Sequence, residues 1–179
     1  MDEAGFSFSQ NNRKTYAPAG RTPEISDGGK YGGVSAASLI AEDGRLFHRL
    51  SPVAFTGEAI EAFLRDAAAF LGRKLLLIWD NARIHSHGPA DKFAGGPWRP
   101  DKPVHAEPLP PYCPESNADG QARGYIKKNL LADRLFKNKE ELIEKVELGY
   151  QFLKNRPGLV LSFFNNKNVG FSQQPPPSQ

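Results

Sequence analysis

The sequence predicts an α/β domain built on a mixed β-sheet, and three observations carry that expectation. An Asp43-Gly44 pair separates two β-patterned segments. Ile60, Phe63, Leu64, Ala67, Ala68 and Leu71 recur at steps of three and four. Leu75-Leu76-Leu77-Ile78-Trp79 is an unbroken apolar run closed by Asp80. The first is a hairpin signal, the second the stripe of an amphipathic helix, and the third reads as a fully buried strand. A meander, a helix and then a buried strand is the order in which a chain crosses over to a strand running parallel to its first.

Taken in order, Phe6 and Phe8 alternate with Ser7 and Ser9, as in a half-buried strand running on from Asp2. Residues 11–30 are polar and rich in Gly and Pro, hence irregular. Strands over Gly33–Ala41 and Arg45–Leu50 flank Asp43-Gly44, which suits a two-residue type I′ turn because both residues tolerate positive φ. Thr56 caps the amphipathic helix and Gly72 ends it. After the strand Leu75–Trp79, residues 86–103 hold Gly88, Pro89, Gly95, Gly96, Pro97, Pro100 and Pro103, which predicts a loop with at most a short helix around Ala90–Phe93. Val104–Glu107 is a short strand. Ser116 or Asn117 can cap a helix running to about Leu131, in which Gly120 and Gly124 each cost about 1 kcal/mol relative to Ala. Asn138 with Glu141 forms a capping box for a last helix whose stripe, Leu142, Val146, Tyr150 and Leu153, ends before Pro157-Gly158.

At 179 residues, 39% hydrophobic and 24% charged, the chain is long enough for one well-buried domain, placed at residues 1–171, with a disordered Pro-rich tail over 172–179. The net charge of +3 is too small to imply a nucleic-acid partner by itself. Between Gln121 and Arg156, however, nine basic residues stand against five acids, either as a solvated helical face or as a phosphate-binding surface. Cys113 is the single cysteine, so no internal disulfide is expected and the composition suits a reducing compartment. No apolar stretch approaches the ~20 residues of a membrane span and no signal segment opens the chain, so the expected location is cytoplasmic, away from membranes.

The chemistry is expected at Asp80, because a buried strand that ends in an acid delivers a carboxylate to the edge where open α/β sheets place their ligands. Three segments then share one order: Asp2-Glu3-Ala4-Gly5, then Asp80-Asn81 with His85, then Leu109-Pro110-Pro111-Tyr112-Cys113-Pro114-Glu115-Ser116-Asn117. Together they resemble the catalytic domain of DDE transposases, in particular the bacterial insertion-sequence transposases of the mariner-like superfamily. The resemblance covers roughly residues 2–164. It implies a ribonuclease H-like fold, Mg²⁺ (or Mn²⁺) as cofactor, DNA as partner with a homodimer left open, and metal-dependent cleavage and strand transfer in DNA transposition.

By position, the resemblance makes Asp2 and Asp80 catalytic metal ligands, with Asn81, His85 and Asn117 in support and Arg123, Lys127 and Lys128 on DNA. Phosphoryl transfer through two metal ions needs several carboxylates from separate parts of the chain. The third acid of the family pattern falls on Gly120, and the Trp that commonly follows three residues later is Arg123. The site is therefore expected to be damaged and its metal binding weakened. Asp119 is the nearest substitute, but a shift of one helical residue turns a side chain by ~100°. Glu3 points to the opposite strand face from Asp2 and reads as a charged neighbour. His85 is open between a substrate or supporting contact, an ordinary hydrogen-bonded histidine and a direct ligand. Tyr112 either packs on the core or stacks on a base. The helix-turn-helix segments that precede the core in such transposases are expected to be absent ahead of Asp2. The rival readings are a non-catalytic DNA-binding remnant and a small metal-dependent nuclease.

Overall fold

The computed structural model describes residues 1–8, 16–21, 32–86, 88–97, 99–110, 113, 116–132 and 135–164. The sequence readings at His87, Pro111, Tyr112, Pro114 and Glu115 and over the Pro-rich tail lie outside the described residues. Three strands, β1 (Asp2–Ser7), β2 (Gly33–Ile40) and β3 (Leu46–Ser51), form an antiparallel sheet in that order. Two more, β4 (Leu75–Trp79) and β5 (Val104–Pro108), pair in parallel. The two ladders meet where the Met1 amino group donates to the Ile78 carbonyl at 2.9 Å, which brings the head of β1 to β4. The register sets Asp2 opposite Ser38 and Ser38 opposite His48.

The helices are α1 (Gly57–Leu71), α2 (Arg83–Ser86), α3 (Pro89–Ala94), α4 (Ala118–Tyr125), α5 (Lys139–Lys154) and α6 (Pro157–Ser162). Because strand residues alternate, β2 feeds two cores. Ala37 and Leu39 join Ile60, Phe63, Leu64 and Ala67 of α1 with Leu77 and Trp79, whereas Val34 and Ala36 join Ala4, Phe6, Ala122 of α4 and Leu142, Val146, Tyr150 and Leu153 of α5. The stripe expected for α1 is the buried one, its N-cap Thr56 accepts from the Ala59 amide, and Gly72 closes it in the left-handed region at φ 66°. Asn138 caps α5 through the Glu141 amide, one half of the expected capping box, while the Glu141 carboxylate accepts from the Lys137 amide at 2.7 Å.

Four local expectations change. β4 is buried on one face only: Leu75, Leu77 and Trp79 are buried while Leu76 is 66% exposed. The α4 and α5 layer packs on β1, β2 and β3, so β4 alternates like a half-covered strand. The β2–β3 turn is a three-residue loop, closed by Gly44 N–H to Ala41 O and Ala41 N–H to Arg45 O, instead of a two-residue type I′ turn. Its left-handed residue is Gly44 at φ 84°, where a Cβ would lie 2.8 Å from the Pro157 carbonyl. A type I turn followed by one left-handed residue uses Asp-Gly at its last two positions, which is why the dipeptide misleads. Third, α4 stops at Tyr125 and continues as a π-helical turn, Ile126–Leu130, with Leu131 N–H donating to Ile126 O. Finally, Pro157 opens α6 instead of merely ending the pattern, since the first helical turn tolerates proline.

Candidate active site

The site is built where the head of β1, the end of β4 and the N-terminus of α4 converge. Asn117 fixes the last of these. Its Oδ1 accepts from the Asp119 and Gly120 amides, capping α4, while its Nδ2 donates to Asp2 Oδ2 at 2.9 Å. A capping asparagine satisfies orphan helix donors and leaves its amide free to reach a neighbouring strand. Asp2 is 8% exposed, and its carboxylate is also paired with the guanidinium of Arg123. Arg123 reaches β1 a second time, through Nη1 to the Glu3 carbonyl at 3.0 Å.

Gly120 stands against this carboxylate. A Cβ built on it would lie 3.6 Å from Asp2 Oδ2 and 3.5 Å from Arg123 Nη2. Glu3, one residue along the strand, faces the other way, as the pleat demands, and meets His85. That histidine is 1% exposed, stacks on Trp79 at 4.6 Å and has a carboxylate at each ring nitrogen: Asp80 at Nδ1, 2.8 Å, and Glu3 at Nε2, 3.0 Å. Burial works against its protonation, but the Glu3 hydrogen bond and the charges of Glu3 and Asp80 outweigh it and raise its pKa. Asp80 also caps the following turn through the Ala82 amide, 3.0 Å. Asn81 donates to the Leu109 carbonyl at 2.7 Å and so ties the loop after β4 to the chain after β5.

Asp119 points elsewhere. It is 1% exposed and accepts from Ser38 Oγ at 2.8 Å through Oδ2, while its Oδ1 has no hydrogen-bond partner. Burial pushes its carboxyl up to about 6, opposed by the Met1 ammonium and the Ser38 bond. Ser38 Oγ lies 3.3 Å from the Tyr150 hydroxyl, whose ring stacks on His48 at 4.3 Å, and His48 Nε2 meets Glu147 at 2.8 Å. A buried polar row therefore runs from Asp2 across Ser38 to His48, roofed by Asp119 and Tyr150. The sequence reading missed this row. Its one signal was Ser38, a polar residue inside the apolar run of β2.

The cationic residues separate. Arg123, expected on DNA, is turned inward onto Asp2 with its side chain 18% exposed, because a buried carboxylate draws the nearest guanidinium. Lys127 is half-buried, its Nζ 5.1 Å from the centre of the Phe6 ring. Lys128 is exposed.

The donor set of the described residues does not fit the two divalent ions that the resemblance implied. Among the described residues no group of three or more His, Cys, Asp and Glu side chains is placed to hold a metal ion. Asp2 is spent on Arg123 and Asn117, Asp80 and Glu3 converge on His85, and position 120 offers no ligand atom. No helix among the described residues is long and apolar enough to cross a membrane.

A mixed α/β domain with acids at the head of its first strand and at the end of its fourth has the frame of the ribonuclease H-like fold. The sequence pattern of the DDE superfamily endonucleases matches residues 1–143, and the chain belongs to that family. Its fold is similar to that of the Mos1 mariner paired end complex with Mn, at 14% identity and a TM-score of 0.61, over 94% of this chain and 53% of that one. The Mos1 transposase paired-end complex with left transposon end gives 13% identity and a TM-score of 0.59, over 90% and 53%. The chain thus spans about half the length of these solved structures. No curated protein matches it in sequence.

Proposed function

We propose that the chain is the catalytic domain of a mariner-like DNA transposase whose strand cleavage and strand transfer are impaired because Gly120 stands at the third acid position. Family membership and fold support the first half of this reading. The observation that carries the second is the direction of residue 120, whose absent Cβ would point at the Asp2 carboxylate from 3.6 Å. A side-chain carboxylate there would complete an acidic pair with Asp2, and glycine leaves the pair undone. In this reading Asp2 and Asp80 are the surviving acids, Asn117 and Asn81 hold the backbone around them, and His85 binds Asp80 to Glu3. DNA is the substrate, Mg²⁺ or Mn²⁺ the ion that a complete site would use, and a second copy of the chain the partner that would pair two ends.

A second reading, a non-catalytic DNA-binding remnant, draws support from Arg123, which already neutralises Asp2. Both are tested with the purified chain on end-containing and random duplexes in Mn²⁺ and Mg²⁺, assaying nicking beside joining. Little or no cleavage is expected, and any residual joining should vanish in Asp80→Asn. Efficient nicking without joining, sensitive to Asp80→Asn, would identify a hydrolytic nuclease and refute the impairment. DNA binding unchanged by Asp80→Asn with no turnover in any metal selects the remnant.

A further inference from the structure

We infer that Arg123 is a built-in counter-cation for Asp2, taking up the carboxylate that a divalent ion would otherwise use, so that this half of the site takes no metal while Arg123 is present. The inference rests on the reading of Asp2 as an acid of the family's metal site and goes beyond it by assigning a role to the second departure from the family pattern.

Asp2 is buried, and an ionised carboxylate out of water must be paired or hydrogen-bonded. Arg123 does both, with Asn117 as the second donor. The guanidinium is anchored rather than mobile, since Nη1 holds the Glu3 carbonyl. Its Nη2 lies 3.5 Å from where a Cβ of residue 120 would be, so the cation rests over the bare face of Gly120. Residues three apart on a helix are neighbours, and the loss of an acid at 120 and the gain of a cation at 123 therefore act on one spot. The two departures are physically coupled. An acid restored at 120 beside Arg123 would pair with the guanidinium, and the pair would gain no site for metal.

Mn²⁺ is the probe, titrated calorimetrically and by its paramagnetic signal into the full chain, beside thermal melts with and without the ion. In the unaltered protein, Asp2→Asn should leave Mn²⁺ affinity unchanged and lower the melting temperature, because it strands Arg123. Arg123→Gln should bind Mn²⁺ at least tenfold more tightly, should melt lower without the ion and recover with it, and should lose both responses when Asp2→Asn is added. Mn²⁺ binding by the unaltered chain that Asp2→Asn abolishes overturns the inference and leaves the transposase reading intact with a working acid. A folded Arg123→Gln protein with no gain in affinity also overturns it. If that variant does not fold, the Asp2→Asn comparison alone decides. The Gly120 reading is separable: should Arg123→Gln tighten binding while adding Gly120→Glu brings no further gain, the counter-cation stands and the third-acid assignment falls.

Discussion

Asp119→Asn should stabilise the protein at neutral pH, and the gain should fade in acid. The carboxyl is fully buried, bonded through one oxygen to Ser38, and raised from 3.8 to about 6 chiefly by burial. A folded pKa above the unfolded one means that the folded state binds the proton more tightly. The penalty is therefore absent below about pH 4, grows as pH rises toward 6, and is complete above it. At ~1.4 kcal/mol per unit, a shift of roughly two units is worth about 3 kcal/mol, less what the Met1 ammonium loses when its nearby anion is removed. Asn keeps an oxygen for the Ser38 hydroxyl. A net gain of about 1–3 kcal/mol at pH 7.5 should raise the melting temperature by several degrees in a chain of this size. The assay is urea or thermal denaturation of both proteins at pH 4.5, 6.0 and 7.5. An amide that packs poorly shifts all three differences equally, so the slope of the difference against pH is the quantity read. A difference independent of pH, or one that grows toward acid, refutes the reasoning.

Asn117→Asp retains a good helix cap but replaces the donor that meets Asp2 with a second carboxylate, so it should destabilise by about 1–3 kcal/mol where Asn117→Ser, also a good cap, costs less; denaturant midpoints of the two variants decide. Gly44→Ala forces a left-handed residue against the Pro157 carbonyl and should cost about 1–3 kcal/mol by the same measurement, with α6 the first segment to lose amide protection. DNA binding should be weak and steeply salt-dependent, on the order of 10⁻⁴–10⁻⁶ M at physiological salt, with Lys128→Ala reducing the salt slope by about one and Arg123→Gln leaving it unchanged. Fluorescence titrations at several salt concentrations check this, and tight, salt-insensitive, sequence-selective binding would show a recognition element on the surface.

Most of the framework was legible because it follows from local periodicity. The stripe from Ile60 to Leu71, the caps at Thr56 and Asn138 and the acid closing β4 are each written within a dozen residues. What the sequence could not show depends on separations of tens of residues. Whether β4 is covered on one face or two is decided by where α4 and α5 land, and those helices lie more than thirty residues downstream. Arg123 reads from sequence as one more cation in a basic run. Only the closure of α4 onto β1, 121 residues away, reveals it as the partner of Asp2. Gly120 was visible as a gap in a pattern, yet the direction of that gap needed the fold. The hairpin shows a subtler limit, because Asp-Gly serves two loop lengths and the choice between them rests on hydrogen bonds to Ala41.

The polar row across β1, β2 and β3 acts as a registration mark for the whole domain. Asp2, Ser38 and His48 are cross-strand neighbours. A slip of β2 by one residue would turn Ser38 to the α1 side and place Ala37 or Leu39 beneath the carboxyl of Asp119. Apolar strand faces made largely of alanine, such as Ala36 and Ala37, tolerate such slips in terms of packing volume alone. The misaligned sheet would instead leave Asp119 and Tyr150 buried without their shared partner, a cost that hydrophobic contacts cannot offset. Chains caught in the wrong register are thus penalised at the same few side chains that join the helical layer to the acidic end of the sheet.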